Sequence, residues 1–500
     1  MPDQSKTPIL SALQASSQRP HAAFYAPGHK RGQGASTQLI NLLGEKALAV
    51  DLPELPELDN LFAPEGVIYE AQELAAAAFG AEQTYFLANG STCGIEATIL
   101  ATVGPGDKII VPRNAHRSVI AGLVLSGAMP VFVAPEYSPE LGLVLGVKAE
   151  TIAAALSHHP DTRAVLLVSP TYHGLCSDVG AIAALAHSHN IPLLIDEAHG
   201  PHFAFHPELP TPALALGADL VVQSTHKVLG ALSQAAMLHT RGDRIDRSRL
   251  QSALQLTQST SPNSLLLASL DAARHQIATA GKALLSDTLD LTQQIRRELA
   301  EILGLRVIDK SAVTSFSSVS DLDLTRLTVD LLGVGITGLE ADDILHHELG
   351  VTVELPELRH LTLIVSLGNT EKDVQRCVAG FETLAAGAGD RATHHAPIHW
   401  PETGFAEDGT PTFGVPLVSP REAFFTTPET VSAQAAIGRL SAETISAYPP
   451  GIPTIVAGEP ISAADIQQLT LAKQQGGYVT GGRDASLDTF HVLTVGKEVK

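Results

Sequence analysis

DLVVQSTHK, residues Asp219–Lys227, sets three aliphatic residues and an amide in front of a Ser-Thr-His-Lys turn. Leu220, Val221 and Val222 read as a short buried strand. A lysine directly after such a strand is unusual, because lysine is seldom buried without a task. Runs of the same kind recur at Thr84–Ala88, Lys108–Pro112, Pro130–Val133, Ala164–Ser169, Ile191–Asp196 and Ala235–Thr240. Between them, Ile95–Val103, His116–Ser126 and Val179–His189 carry apolar residues at helical spacing. Strands apolar on both faces, alternating with helices, predict an α/β fold with a mostly parallel seven-stranded sheet covered by helices on both sides. Ligands of such sheets sit beyond the carboxyl ends of the strands, which is where Lys227 falls.

Outward from that core, the chain of 500 residues is too long for one ordinary hydrophobic core. The reading is an N-terminal segment 1–63, a large domain 64–300, a small α/β domain 301–386, a linker 387–412 and a C-terminal domain 413–500. In the small domain, Leu327–Leu332, Thr352–Glu354 and Leu361–Leu367 read as strands, and Ala341–Leu349 and Glu371–Ala386 as helices. The Gly-, Pro- and His-rich stretch Ala386–Thr412 has no periodicity and reads as a solvated connector. Lys and Arg number 32 against 53 Asp and Glu, a formal charge of −21. Such a surface repels phosphate backbones, so nucleic acid is not an expected partner. No secretory signal and no apolar run of membrane-spanning length is present, and three scattered cysteines make neither a disulfide framework nor a zinc site. A cytoplasmic protein is expected.

Four elements carry chemistry. Lys227, at the sheet edge, is the residue type that burial and neighbouring cations tune for Schiff-base formation. Asp196 closes the apolar strand of LLIDEAHG, a costly place for a charge unless it faces a cation such as a protonated ring nitrogen; it suits a helix cap equally well. FLANGSTCG (Phe86–Gly94) is a strand, a glycine turn and a helix start, with Ser91 and Thr92 as natural N-caps, and makes either an anion site or an ordinary capped helix. RNAHRS (Arg113–Ser118) offers His116 for stacking on a flat ring, or for another capping turn.

Taken together, in this order, the four elements resemble fold-type-I enzymes that use pyridoxal 5′-phosphate (PLP). The segments APGHKRG (Ala26–Gly32), PEGVIYEAQELAAAAFGA (Pro64–Ala81), SPTYHGLCSD (Ser169–Asp178), DEAHGPHFAFHP (Asp196–Pro207), QSTSP (Gln258–Pro262) and RLSAETISAYPPGIPTIVAGEPI (Arg439–Ile461) narrow the resemblance to the Orn/Lys/Arg decarboxylase family. It looks like the short form, for which no amino-terminal wing domain like that of the long members is expected. The resemblance implies a lyase that decarboxylates lysine, arginine or ornithine to cadaverine, agmatine or putrescine. It gives Lys227 the Schiff base, Asp196 the pyridine nitrogen, and Ser91, Thr92 and Ser224 the phosphate. It sets His116 over the ring, Ala198 beneath it and His226 beside the lysine. Thr260 would reach the phosphate of the neighbouring subunit in a homodimer with shared active sites, to which residues 1–63 contribute. Glu354 would meet the distal cation of the substrate, with the acidic LPELPELDN (Leu52–Asn60) as a rival or a solvated loop. No metal is expected.

Aminotransferases of this fold clamp the substrate carboxylate with an arginine in the small domain. The comparable strand, Leu361–Gly368, has none, and Arg359 lies just before it. An aminotransferase, a carbon–carbon lyase and a non-catalytic regulator are the rival readings; a regulator usually loses the lysine or the aspartate, and both are retained.

Overall fold

In the computed structural model, which describes residues 2–387, 414–448, 452–474 and 476–494, each of the seven expected runs is a strand. They are β1 (Gln83–Leu87), β2 (Lys108–Pro112), β3 (Met129–Val133), β4 (Thr162–Val168), β5 (Leu193–Asp196), β6 (Leu220–Gln223) and β7 (Ala236–Thr240). They form one sheet in the order β1-β7-β6-β5-β4-β2-β3. β2 runs parallel to β3 and to β4, whereas β7 is antiparallel to both of its neighbours. The helices Gly90–Thr102, Arg117–Ser126 and Val179–Ser188 follow the spacing that predicted them. Every residue of β6 and β7 is buried, as a strand covered on both faces requires.

By contacts the chain divides into two units, Met1–Ala101 with Ile195–Ser286, and Thr102–Leu194 with Asp287–Lys500. In the first, Asp59 bridges the acidic N-terminal loop and a helix. Its carboxylate accepts the backbone N–H groups of Gly66, Ile68 and Tyr69 at 2.7, 3.0 and 3.3 Å, at the start of the helix Val67–Phe79. Partial burial works against its charge, but the backbone donors, Glu65 and Asn60 first, win and hold its pKa below the usual value. Asp59→Ala should therefore cost about 1–2 kcal/mol of stability. Because the folded pKa is depressed, that contribution is present above the unfolded pKa and lost as the pH falls through the folded one. Paired denaturant titrations of wild type and variant at neutral and acid pH check both points.

In the second unit, the strands β8 (Arg306–Val307), β9 (Arg326–Asp330), β10 (Leu355–Pro356) and β11 (His360–Ile364) form an antiparallel sheet in the order β8-β9-β11-β10. Its apolar face packs on the helix Glu371–Gly387 through Val374, Val378 and Phe381. The expected strand Thr352–Glu354 does not form. Gly350 turns the preceding helical segment off in a left-handed conformation, φ 67°. Val351 N–H then caps that segment on the Leu345 carbonyl at 2.8 Å. The β-branched run is spent on this exit, and only Leu355 and Pro356 pair with β11. Residues from 414 build a separate apolar cluster around Ile445, Ile455, Leu469, Phe490 and Val492. Nearly all of the expected connector, with its histidines and Trp400, lies outside the described residues. Among the described residues no helix is long and apolar enough to cross a membrane.

Candidate active site

Three strand ends of the first unit carry the expected groups. β6 ends at Gln223; Ser224 then opens a single helical turn, Thr225–Val228, that contains Lys227. Lys227 is half-buried, and its Nζ lies 2.8 Å from Nε2 of His199, which is 4 % exposed. β5 ends at the buried Asp196, whose Oδ1 accepts the Ala198 N–H at 3.2 Å. That bond turns the chain so that Ala198 and His199 follow within one DEAHG segment. β1 runs into Asn89-Gly90, where Gly90 takes φ 80°, a value that L side chains rarely adopt. The helix opens at Gly90 and carries Ser91 and Thr92 in its first turn. A side chain on Gly94 would lie 2.6 Å from Leu87 Cδ1 and 2.9 Å from Val222 Cγ1, so only glycine lets the helix approach the sheet this closely.

Ser224 Oγ donates to Ser91 Oγ at 2.7 Å, bringing two of the predicted phosphate hydroxyls together. Thr92 is exposed beside them. Thr225 adds a buried hydroxyl with no hydrogen-bond partner among the described residues. Converging hydroxyls at a glycine turn and helix start, with a lysine and a buried carboxylate at adjacent strand ends, fit a phosphorylated aldehyde cofactor with a basic ring nitrogen. His226 is tied back by its Nδ1 to the Ala235 carbonyl at 3.0 Å.

The sequence did not announce His199, although it stands in plain view in DEAHG; only the fold sets its imidazole against Lys227. Nor did it announce how QSTSP is anchored. Gln258 Oε1 accepts the Ala88 N–H at 2.9 Å, and Ser259 N–H donates to Asn89 Oδ1 at 3.3 Å, so that the loop grips the glycine turn of its own chain. Thr260, next along, is exposed.

Behind the same strand ends lies a buried polar row. Glu197, 2 % exposed, accepts the Ala213 N–H at 2.8 Å and the Gln223 Nε2–H at 2.7 Å. The other end of that amide lies 3.1 Å from His239 Nε2, and His239 Nδ1 lies 2.8 Å from Thr84 Oγ1. Phe79 stacks on the His239 ring, centroids 4.8 Å apart. Burial pushes the Glu197 carboxyl up to about 8, against the opposing pull of Gln223 and Ala213, and pushes His239 down to about 3.

His116 and Glu354 belong to the second unit. The structure gives His116 the capping role that the sequence left open: its Nδ1 accepts the Ser118 N–H at 3.2 Å, at the start of the helix Arg117–Ser126. Glu354 is exposed, and its N–H bonds the Thr362 carbonyl at 3.1 Å. The acidic rival Leu52–Asn60 is committed elsewhere. Glu54 bonds Asn60 and the Leu61 N–H, Glu57 pairs with Arg19 at 2.7 Å, and Asp59 caps its helix. Arg359 is likewise held, with two nitrogens on the Asp330 carboxylate at 2.6 and 2.9 Å. Burial pushes the Cys93 and Cys377 thiols up to about 12, which keeps them unreactive. No cluster of metal-ligating side chains occurs among the described residues.

A mostly parallel seven-stranded sheet covered by helices, with smaller domains following it, is the fold-type-I architecture. Within that architecture the chain belongs to the Orn/Lys/Arg decarboxylase family: residues 7–373 match its major domain and residues 413–478 its C-terminal domain. An arginine decarboxylase of Bacillus subtilis is 37 % identical over 497 residues, covering 99 % of each chain. One from Halalkalibacterium halodurans is 38 % identical over 498 residues, covering 100 % of this chain and 99 % of its own. In fold, the chain is similar to a lysine decarboxylase of Pseudomonas aeruginosa, with TM-score 0.82, 23 % identity and coverage of 98 % of this chain and 81 % of that one.

Proposed function

We propose that this protein is a PLP-dependent carboxy-lyase that converts L-arginine to agmatine and CO₂. Decarboxylation of a basic amino acid is the activity of its family. The observation that carries the reading is the Lys227–His199 contact at the sheet edge, one strand from the buried Asp196. The choice of arginine rests on the relatives that match from end to end, which are named arginine decarboxylases.

PLP bound here supplies an electron sink for the pair left when the carboxylate departs. Lys227 holds it through Nζ, and His199 Nε2 takes the proton that Nζ must lose to become a nucleophile. Asp196 keeps a proton on the ring nitrogen. The hydroxyls of Ser91, Thr92 and Ser224, with the N–H groups of the helix start, hold the phosphate. Ala198 would pack against the ring, His226 would lie beside the lysine, and His116 would be the residue to stack on the ring. With Arg359 engaged by Asp330, that arginine does not clamp the α-carboxylate, which favours its loss over transamination. Thr260, exposed on the QSTSP loop, serves the partner subunit of a homodimer.

Glu354 is proposed to meet the substrate guanidinium. Glu354→Gln should lower kcat/KM for arginine about tenfold, the scale of one charge-assisted hydrogen bond, with the cofactor spectrum unchanged. Unaltered kcat/KM would leave Glu354 a solvated loop residue. The activity itself is tested by supplying arginine, lysine and ornithine separately, measuring CO₂ and identifying the amine. Cadaverine or putrescine as the main product would overturn arginine; a 2-oxo acid requirement would overturn decarboxylation.

A further inference from the structure

Two members of the buried polar row are chain neighbours of site residues, and the other two extend the row from them across the sheet. Glu197 follows Asp196, and Gln223 precedes Ser224. His239 and Thr84 face each other across β7 and β1, the strand that feeds the Gly90 turn. Successive residues of an extended chain point to opposite sides. Asp196 and Ser224 can therefore serve a ligand while Glu197 and Gln223 join behind them. All four members are essentially out of water, with exposures of 2, 3, 0 and 1 % for Glu197, Gln223, His239 and Thr84.

Among the described residues no cation pairs with Glu197; its partners are one backbone N–H and one amide. A buried carboxylate without a cation takes up a proton instead. The Ala213 N–H donates to Glu197 Oε1, so a proton on the acid is best placed on Oε2, the oxygen that faces the amide. With Gln223 Nε2 on Glu197 and Gln223 Oε1 on His239 Nε2, the row has the direction that suits a carboxylate; a proton on Glu197 reverses it through a half-turn that exchanges the two ends of the glutamine amide. In that reversed arrangement Glu197 O–H donates to the Gln223 oxygen, the Gln223 N–H₂ donates to His239 Nε2, and His239 Nδ1–H donates to Thr84 Oγ1.

We propose that Glu197 is a positioning residue that works as a neutral hydrogen-bond donor, locking the end of β5 to that of β6 and, through His239 and Thr84, to the body of β7 and β1, and so fixing the spacing of Asp196, Ser224 and Lys227. This rests on the functional reading above, because it names the same strand ends as the cofactor site. Neutrality has a purpose there: a second anion beside Asp196 would compete for the cofactor's proton. Gly200 belongs to the device, since a Cβ on it would come within 2.8 Å of Glu197 Cγ and of the Phe203 ring.

Infrared difference spectra of wild type against Glu197→Gln, recorded at neutral pH, test the protonation. The wild type should show the carbonyl stretch of a protonated carboxylic acid that the variant lacks; a carboxylate band in its place would overturn the proposal. Glu197→Leu removes the donor at similar volume. It should weaken cofactor retention and lower kcat, each about tenfold, with KM unchanged. Glu197→Gln, which can donate and accept at the same atoms, should restore both. A glutamine variant as impaired as the leucine one would mean that Glu197 acts as an anion. Wild-type cofactor retention and kcat in both, with only the thermal midpoint lowered, would reduce the row to a structural role. The infrared arm needs only the conservative variant, so it stands if Glu197→Leu does not fold. It is also read without turnover: a wild type inactive on all three amino acids would strike the functional reading and leave the protonation result intact.

Discussion

Lys227→Ala is expected to lower turnover by about a thousandfold or more while leaving the protein folded. Nζ is the one primary amine of its turn, the group that condenses with an aldehyde to a Schiff base, and alanine offers nothing in its place. The residue is half-buried at the mouth of its strand rather than in the core, so its truncation removes little packing. The loss is that of a nucleophile, which in other enzymes runs from thousands to millions. His199 sharpens the expectation, because with Nζ gone its Nε2 loses the group it faces at 2.8 Å. Three measurements bear on it. Purified wild type should be yellow and the variant should lack that absorption as purified. Borohydride reduction followed by peptide mapping should label the peptide containing Lys227. A thermal melt should place the variant within a few degrees of cofactor-free wild type. Label on another lysine would move the attachment point and with it the centre of the site.

How far this site was legible follows from where its signals lie. The seven strands were readable because each is a short aliphatic run buried on both faces, and a strand such as β6 can hardly be anything else. Lys227 and Asp196 were readable because charges at the ends of such strands are costly enough to need a reason. The strand expected at Thr352–Glu354 misled: Val351-Thr352-Val353 has strand composition, but Gly350 spends the run on leaving the helical segment, pairing begins only at Leu355, and Glu354 is exposed. His199 and the row from Glu197 to Thr84 were illegible for a different reason. Their partners lie far away in sequence, and no local period links Gln223 to His239 or His239 to Thr84. Only the strand order brings them into line. A buried glutamate directly after the aspartate was the one hint, since two adjacent carboxylates inside a protein cannot both stay charged cheaply.

That last point shapes what Asp196→Asn should do. Asparagine keeps the shape and can still accept the Ala198 N–H, so the DEAHG segment should fold as before and the thermal midpoint should move little. What disappears is the charge that holds a proton on the cofactor's ring nitrogen. Glu197 cannot take over, because it is buried without a cation and its two oxygens are committed to Ala213 and Gln223. The reaction should therefore lose roughly 3–4 kcal/mol of transition-state stabilisation, on the order of a few hundredfold in kcat, as for other preorganised electrostatic partners. KM should change much less, since in the proposed site the residue serves the cofactor and not the substrate. The check is a comparison of kcat and KM in the cofactor-loaded variant, with its visible spectrum followed across pH. A variant that retains cofactor and runs at near wild-type kcat would show that some other group protonates the ring, and the strand-end aspartate would revert to the capping role its bond to Ala198 already describes.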